Sequence, residues 1–262
     1  MKIIVLASGS KGNATYIETK QTKILIDAGI SYLQIKNLLL EKNIQLNHLD
    51  AILVTHEHSD HIRYLASVAK RTNATIYLNE MTYHIINQKT SGSLNYLKSA
   101  IIQANCKYEI NDLMVAALEL SHDTKSCFGY IIKEKKQGNA TYGYITDTGY
   151  IPDKYVSLIS KLQVISLESN HDVNMLKTSG RPWILINRIL SKQGHLSNEQ
   201  CATYLKQFDY KYVKQIILSH LSEECNTEAL AINEITNAFD GNLPFKLWIA
   251  KQHEALDIIE VE

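Results

Sequence analysis

Short apolar runs alternate with amphipathic stretches along the chain. Three β-rich runs come first, in "KIIVLA", "ATYIET" and "KILIDAG". Segment 31–44 then shows the i, i+3, i+4 apolar spacing that is typical of an amphipathic helix. A strand at 51–55, a helix from about Asp60 to Arg71, a strand at 75–78 and a helix around 80–88 continue the series. The first half is therefore predicted to contain strands followed by helices.

The second half repeats this order. Segments 112–121, 127–135 and 140–149 read as consecutive strands with turn residues between them. Helices are predicted at 152–161, 183–190 and 197–208, followed by a strand at 213–219 and a helix from Thr227. Two such halves predict an α/β fold in which two β-sheets pack face to face between helices, a four-layer αββα sandwich. The chain has no linker-like tract, so residues 1–262 are predicted to form a single domain.

The composition narrows the functional classes. The chain has 262 residues, of which 45% are hydrophobic, and Lys plus Arg equals Asp plus Glu at 27 each. This balance is typical of a globular protein and lacks the global basic field of a non-specific nucleic-acid binder. The first apolar run is too short for a signal peptide, and no segment approaches the roughly 18 apolar residues of a membrane span. We expect a cytoplasmic protein without a membrane partner, and the sequence specifies no oligomeric state.

The segment "VTHEHSDHI" at 54–62 concentrates titratable groups directly after a predicted strand. Three of the ten histidines, His56, His58 and His61, fall within six residues, together with Asp60. His56 and His58 are two positions apart on extended backbone, so both rings can point toward one metal ion. Asp60 and His61 begin the next helix and are placed to serve a second, adjacent ion. A charged surface loop is the alternative, but this density of histidine makes it the weaker interpretation.

Three more candidate ligands follow apolar strands further along the chain. His122 lies in "ELSHDTKS", Asp147 in "YITDTGY" and His220 in "QIILSHLS". Each alone would more often be an ordinary strand-end or turn residue. Because metal sites of the zinc type need three or more protein ligands, their appearance after the first cluster favours metal binding.

The order H-x-H-x-D-H, then His, Asp and His, resembles the metallo-β-lactamase-fold hydrolases. The resemblance implies two mixed sheets flanked by helices and two divalent metal ions, with zinc, manganese or iron as candidates. Asp147 stands where the β-lactamases carry Cys, which favours phosphate-ester chemistry with a metal-bridging hydroxide as nucleophile. The implied ligands are His56, His58 and His122 for one ion, Asp60, His61 and His220 for the other, and Asp147 for both.

Two further residues resemble the catalytic pair of ribonuclease Z and its relatives. Glu168 ends the apolar run in "VISLESNHD", and His195 precedes Ser197, a candidate helix cap, in "KQGHLSNEQ". The resemblance implies that Glu168 orients His195, and that His195 contacts the scissile phosphate or protonates the leaving oxygen. Asp60 is assigned a catalytic as well as a ligand role, because its loss is expected to abolish hydrolysis.

The candidates for substrate binding come from three segments. The loop from Ser8 to Asn13, with Lys11, is predicted to present backbone N–H groups to a phosphate, although a plain strand connection is equally compatible. His171 is a substrate contact, a hydrogen-bonding neighbour of a metal ligand, or a surface residue at a helix start. Arg181 is a candidate for a basic path that also includes Lys125, Arg188 and Lys192.

Segments along nearly the whole chain resemble the YycJ/WalJ family. They include "LASGSKGN", "THEHSDHI", "SHDTKSCFGY", "LESNHD" and "LSHLSEECNT". This resemblance implies a 5'-to-3' exonuclease that acts on double-stranded DNA, with a role in DNA mismatch repair. It also implies an association with a cell-wall two-component system.

Other functions remain open from the sequence alone. The same centre would serve a phosphodiesterase for small cyclic or nucleotide diesters, or for RNA. Thioester hydrolysis is compatible with the ligands but leaves Glu168 and His195 without a role. A regulatory partner of the two-component system with a vestigial site is the alternative from another class, and the complete set of seven ligands argues against it.

Overall fold

Fourteen strands form two β-sheets of seven strands each in the computed structural model, which describes residues 1–135 and 140–261. Residues 136–139 and 262, which the predicted single domain also includes, lie outside the described part. The first sheet has the order β14-β1-β2-β3-β4-β5-β6 and the second β13-β12-β11-β10-β9-β8-β7. The strands are β1 (Lys2–Ala7), β2 (Ala14–Glu18), β3 (Lys23–Ile26), β4 (Ala51–Leu53), β5 (Thr75–Leu78), β6 (Ser99–Ile101), β7 (Lys107–Ile110), β8 (Leu113–Leu120), β9 (Cys127–Glu134), β10 (Thr141–Ile145), β11 (Val164–Glu168), β12 (Gln215–Ser219), β13 (Lys246–Ile249) and β14 (Ile259–Glu260).

Both sheets are mixed in the same way. From β14 to β3, and from β7 to β10, neighbouring strands are antiparallel. The remaining strands of each sheet are parallel to their neighbours. Among the described residues the helices are α1 (Tyr32–Glu41), α2 (Ser59–Ile62), α3 (Leu65–Thr72), α4 (Glu80–Lys89), α5 (Asp153–Ile159), α6 (Val173–Thr178), α7 (Trp183–Ile189), α8 (Asn198–Leu205) and α9 (Glu228–Ala238). Two mixed sheets between helices confirm the predicted fold class.

The apolar runs in the sequence become strands that are buried on both faces. In β1, Ile3 and Val5 pack between the two sheets, whereas Ile4 and Leu6 pack in the cluster that includes residues of α1 and α3. A strand covered on both faces needs apolar residues at consecutive positions, which is why its sequence does not alternate. On the other side of the molecule, a cluster of buried apolar side chains joins the second sheet to α5, α8 and α9.

The predicted helix from Asp60 to Arg71 is wrong as a continuous element. It is divided into α2 and α3 at Tyr64, which has φ −112° and ψ 9°. The Asp60 carbonyl accepts from Asn13 N–H, the His61 carbonyl accepts from Ala28 N–H, and Tyr64 N–H donates to the Ala28 carbonyl. Neighbouring loops thus take the hydrogen bonds that would continue the helix, and α2 is fixed against them.

The other differences between the predicted and the observed secondary structure lie mostly in short strands and helices. Strands β6, β7, β13 and β14 and helix α6 were not predicted from the sequence, because each is short and carries little periodic signal. Strand β14 is defined by its pairing with β1, in which Ile259 lies opposite Ile3, 256 residues away. Tertiary structure therefore sets this strand more than any local sequence pattern does. Ser197 caps α8 as predicted, within a capping box with Gln200. None of the described helices has the length and apolarity that crossing a membrane would require.

Candidate metal centre

The predicted ligands meet where strands of both sheets end. His56 and His58 follow β4, His122 follows β8, Asp147 follows β10 and His220 follows β12. The structure brings all seven predicted ligands together in overlapping groups whose ligand atoms lie within 4.8 Å of one another. These groups are His56, His58 and His122, called here the first ligand group; Asp60, His61 and His220, the second ligand group; and His56, His61 and Asp147, which connects them.

Three residues at these strand ends have left-handed backbone conformations. Asp27 has φ 59°, and Asp147 and His220 each have φ 58°. This conformation costs a non-glycine residue about 1 to 2 kcal/mol, so neighbouring contacts must hold it. Thr55 N–H donates to the Asp27 carboxylate, and His220 N–H donates to Ser8 Oγ at 2.7 Å. The chain therefore maintains strained backbone at the places where ligands are presented.

Several ligand atoms are buried without a hydrogen-bond partner among the described residues. They are Nε2 of His56, His122 and His220, and Oδ2 of Asp147. Leaving such atoms buried and unpaired is unfavourable by about 1 to 3 kcal/mol each, so a bound cation is the expected partner. His61 Nε2 lies 3.4 Å from Asp147 Oδ2 and 3.3 Å from Asp60 Oδ2. Atoms bound about 2.1 Å from one ion are roughly this far apart, and the residues fit divalent metal ions.

Outer hydrogen bonds fix the tautomers of the ligand histidines. His61 Nδ1 donates to Asp27 Oδ2 at 2.7 Å, and His122 Nδ1 donates to the Gly194 carbonyl at 3.1 Å. His56 Nδ1 lies 3.0 Å from Thr55 Oγ1, whose own proton goes to Asp27. Because Nδ1 of each ring is engaged as a donor, Nε2 is the nitrogen left to bind a metal ion.

Sequence reasoning missed these supporting residues. Asp27 follows an apolar strand just as Asp147 does, and that position was the available signal. Gly194 has a steric role as well, because a Cβ there would lie 2.0 Å from the Ile189 carbonyl oxygen. Asp123 was also missed: its Oδ1 is 3.2 Å from His122 Nε2 and 3.7 Å from His58 Nε2, and Arg188 lies 3.3 Å from its other oxygen.

The two ligand groups differ in their electrostatics. Burial lowers the pKa of His56 and of His122. Burial also opposes the charged form of His61, but Asp147, Asp27 and Asp60 outweigh it and raise the pKa of His61 well above its usual value. For His220, burial is outweighed by the nearby carboxylates of Asp147, Asp60 and Glu168, which raise its pKa to about 10. The second ligand group thus holds protons where a cation would supply positive charge.

The structure brings Glu168 and His195 into direct contact. Glu168 Oε1 accepts from His195 Nδ1 at 2.6 Å and from His220 Nδ1 at 3.2 Å. Its Oε2 accepts from Thr148 N–H at 2.9 Å and from Leu196 N–H at 3.3 Å. Burial raises the pKa of Glu168, but His195 and these contacts together hold it below its usual range, so Glu168 is a carboxylate. It can orient His195 while it also fixes a ligand of the second group.

Two predicted substrate contacts are already engaged inside the protein. Ser8 is buried and accepts from His220 N–H, as described above. Asn13 is also buried; its Oδ1 accepts from Gly9 N–H, and its Nδ2 donates to the Gly9 carbonyl and lies 3.1 Å from His61 Nε2. The loop was expected to present backbone N–H groups to a phosphate, but the N–H groups of Ser8, Lys11 and Asn13 donate to the Lys251 carbonyl, Gln252 Oε1 and the Asp60 carbonyl. That expectation is corrected at these three positions, and the Ser8 and Asn13 side chains hold the loop and the ligands in place.

The other three predicted substrate residues lie around the centre. Lys11 is exposed and pairs with Glu223 at 2.7 Å, and Arg181 pairs with Glu224 at 2.7 Å. His171 is fully buried, its Nε2 has no partner among the described residues, and burial lowers its pKa to about 4. The alternative that His171 is a surface residue at a helix start is therefore wrong.

Comparison with known proteins shows matches over most of the chain. A family model described as a β-lactamase superfamily domain matches residues 22–221. The chain is 35% identical over 267 residues to exodeoxyribonuclease WalJ of Streptococcus pneumoniae serotype 2, covering 99% of this chain and 98% of that protein. It is 34% identical over 236 residues to exodeoxyribonuclease YycJ of Bacillus anthracis, covering 90% of this chain and 88% of that protein.

Solved structures share the fold at low sequence identity. The metallo-β-lactamase fold protein YhfI from Bacillus subtilis superposes with a TM-score of 0.72 and 16% identity, covering 98% of this chain and 99% of that one. This similarity concerns the architecture alone, and the two mixed sheets described above agree with it.

Proposed function

Because the chain belongs to the WalJ/YycJ family of the β-lactamase superfamily and is a metal-dependent hydrolase, we propose that it is a 5'-to-3' exonuclease acting on double-stranded DNA. Two relatives are named exodeoxyribonucleases, which supports DNA as the substrate class. The observation that carries the proposal is the convergence of two ligand groups on Asp147, beside the bonded pair Glu168 and His195. The proposal also includes a cytoplasmic location and a role in DNA mismatch repair.

We propose two divalent metal ions as cofactors, zinc, manganese or iron. The first ligand group would hold one ion and the second would hold the other, with Asp147 close enough to serve both. When bound, such a pair supplies a bridging hydroxide as nucleophile and neutralises charge on the phosphoryl oxygens. Asp60, as a ligand of the second group, is required for hydrolysis.

The chain's own groups assist the departure of the leaving oxygen. His195 is partly exposed beside the ligand groups, and its Nδ1 is fixed by Glu168. With Nδ1 engaged, Nε2 is the atom that protonates the leaving oxygen, and the Glu168 carboxylate stabilises the imidazolium that carries this proton. The same Glu168 oxygen bonds His220, so the acid and the metal ligand are held in one arrangement.

Two rival functions are distinguished from this proposal. A phosphodiesterase for small cyclic or nucleotide diesters, or for RNA, would use the same residues on another substrate. A regulatory partner with a vestigial site would not need seven convergent ligands, of which His56, His61, His122 and His220 have supporting hydrogen bonds, and these contacts favour catalysis.

A substrate panel tests the proposal. Metal-loaded protein is incubated with 5'-end-labelled double-stranded DNA, single-stranded DNA, structured RNA and bis(p-nitrophenyl) phosphate, with Asp60→Asn protein as the control. Stepwise release of nucleotides from the 5' ends of the duplex, absent in the control, is expected. Hydrolysis of the small diester without cleavage of DNA would contradict the proposal, as would equal activity of the control.

A further inference from the structure

Helix α7 runs along one rim of the metal centre. Near its C-terminal end, Arg188 lies 3.3 Å from Asp123, and the Ile189 carbonyl accepts from His195 N–H. Before its N-terminal end, Arg181 is close enough to His171 to influence the pKa of that histidine. Both ends of the helix thus contact or adjoin residues of the proposed site.

One face of this helix carries large side chains that no other element among the described residues covers. Ile186 and Ile189 pack inward in a small cluster with Leu176 and Cys225. Trp183 is 64% exposed and Ile184 is 85% exposed, and the Arg188 side chain is 60% exposed. At about 100° per residue, the exposed positions share a stripe of roughly 140°. We call this stripe the α7 face; it consists of Trp183, Ile184, Asn187 and Arg188.

The charge around the α7 face favours a polyanion as its partner. From residue 173 to residue 198 the chain has no Asp or Glu, although it is electrically balanced as a whole. The same segment contains four cations, which are Lys177, Arg181, Arg188 and Lys192. An ion pair made by a solvent-exposed guanidinium, such as that of Arg188 with Asp123, adds little stability in water, so a phosphate can readily take the place of the carboxylate.

We propose that the α7 face binds the end of a DNA duplex, with Trp183 stacked on the terminal base pair and Arg188 beside a backbone phosphate. This inference rests on the proposed function, which it deepens by naming the part of the substrate that is recognised. Stacking requires an uncovered face of a base. Inside a duplex each base pair is covered by its neighbours, so an aromatic ring beside the site selects an end over internal sequence.

The fluorescence of Trp183 tests this directly, because the chain has only two tryptophans. Replacing the other one, Trp248→Phe, keeps a ring over Lys246 and leaves Trp183 as the single reporter. The metal-loaded variant is titrated with a linear duplex whose end linkages are hydrolysis-resistant phosphorothioates, and with a covalently closed circular duplex at equal phosphate concentration. We expect the linear duplex to quench Trp183 emission and the circle to leave it unchanged.

Kinetics provide the second readout. Trp183→Ala is expected to lower kcat/KM for the linear duplex by about 5- to 100-fold relative to kcat/KM for bis(p-nitrophenyl) phosphate, and Trp183→Phe to restore most of this ratio. Tyr96→Ala is the matched control, since Tyr96 is 90% exposed in the turn between α4 and β6. It should leave the ratio unchanged.

Three results would overturn the inference. They are quenching by the circle equal to that by the linear duplex, a normal ratio in Trp183→Ala, or a change in the oligomeric state of that variant, which would assign the α7 face to a protein interface. If the unmodified protein cleaves duplex DNA but Trp183 responds in none of the expected ways, only this inference fails. If it cleaves no DNA, the proposed function itself fails.

Discussion

The first ligand group contains only imidazoles, whereas the second contains the Asp60 carboxylate and lies against Asp27 and Glu168. In the first group, Nδ1 of His56 contacts the Thr55 hydroxyl and Nδ1 of His122 donates to the Gly194 carbonyl. Burial lowers the pKa of both rings. In the second group, Nδ1 of His61 donates to Asp27 and Nδ1 of His220 donates to Glu168. The carboxylates around these two histidines raise the pKa of both.

This difference shows how one protein can build two unlike positions around one shared carboxylate. Neutral imidazoles are ready to accept a cation, while the second group must first release protons. The carboxylates there compensate, because an anionic partner raises the basicity of each ligand imidazole. We therefore expect the two positions to respond differently to mutation and to pH, although both depend on Asp147.

Removing the shared ligand should have the largest effect. Asp147→Ala takes one carboxylate oxygen from each position, and we expect loss of bound metal from both and a fall of about 10⁴-fold in DNA hydrolysis. Elemental analysis and initial rates measure the two effects. Asp153→Asn, a change of an exposed aspartate in the first turn of α5, is the control. A variant at Asp147 that keeps two ions would contradict the shared role.

Variants that lack one histidine should show that the two metal positions can be emptied independently. His122→Ala is expected to remove one ion from the first group, and His61→Ala one ion from the second, each with a rate loss of about 10³-fold. Metal content should fall by one equivalent in each variant. If either substitution emptied both positions, the two groups would be a single site and the comparison would not hold.

Weakening the hydrogen bond that supports a ligand histidine should lower metal affinity at one position only. Asp27→Asn removes the anionic partner of His61 Nδ1, which should lower metal affinity at the second position by about 10- to 100-fold and leave the first unchanged. Competition with a chelator measures both affinities. Equal weakening at the two positions would show that Asp27 acts through general stability, and thermal unfolding of the metal-free variant provides the check.

The two positions should also differ in how metal affinity depends on pH. His220, with a pKa of about 10 in the metal-free protein, is protonated at pH 7 and must lose its proton to bind a metal ion. Affinity at the second position should therefore rise with pH up to about pH 10, by at most about tenfold per unit for each proton displaced. At the first position, where burial lowers the pKa of His56 and His122, the rise over the same range should be smaller. Calorimetry in buffers of different ionisation enthalpy counts the released protons, and a count of zero would contradict this assignment.

The sequence allowed the fold class and all seven convergent ligands to be predicted, for physical reasons. Buried parallel strands leave continuous apolar runs, and metal ligands stand out where "THEHSDH" crowds histidines at a strand end. Glu168 and His195 were predicted through a resemblance, and their contact is present.

What the sequence did not reveal depends on contacts between distant segments. Asp27 is 34 residues from His61 and looks locally like a turn residue. The division between α2 and α3 is produced by bonds to Asn13 and Ala28, which no helical periodicity can indicate. The loop from Ser8 to Asn13 was expected to present backbone N–H groups to a phosphate, yet the Ser8 N–H donates to the Lys251 carbonyl, 243 residues away.

The central claim is that two ligand groups sharing Asp147 hold two metal ions that DNA hydrolysis requires. Metal-free protein is titrated with a divalent ion while bound metal and hydrolysis of a 5'-labelled duplex are measured on the same samples. The account predicts two equivalents per chain, with hydrolysis rising as the second equivalent binds. Saturation at one equivalent, or full hydrolysis before the second ion binds, would contradict it.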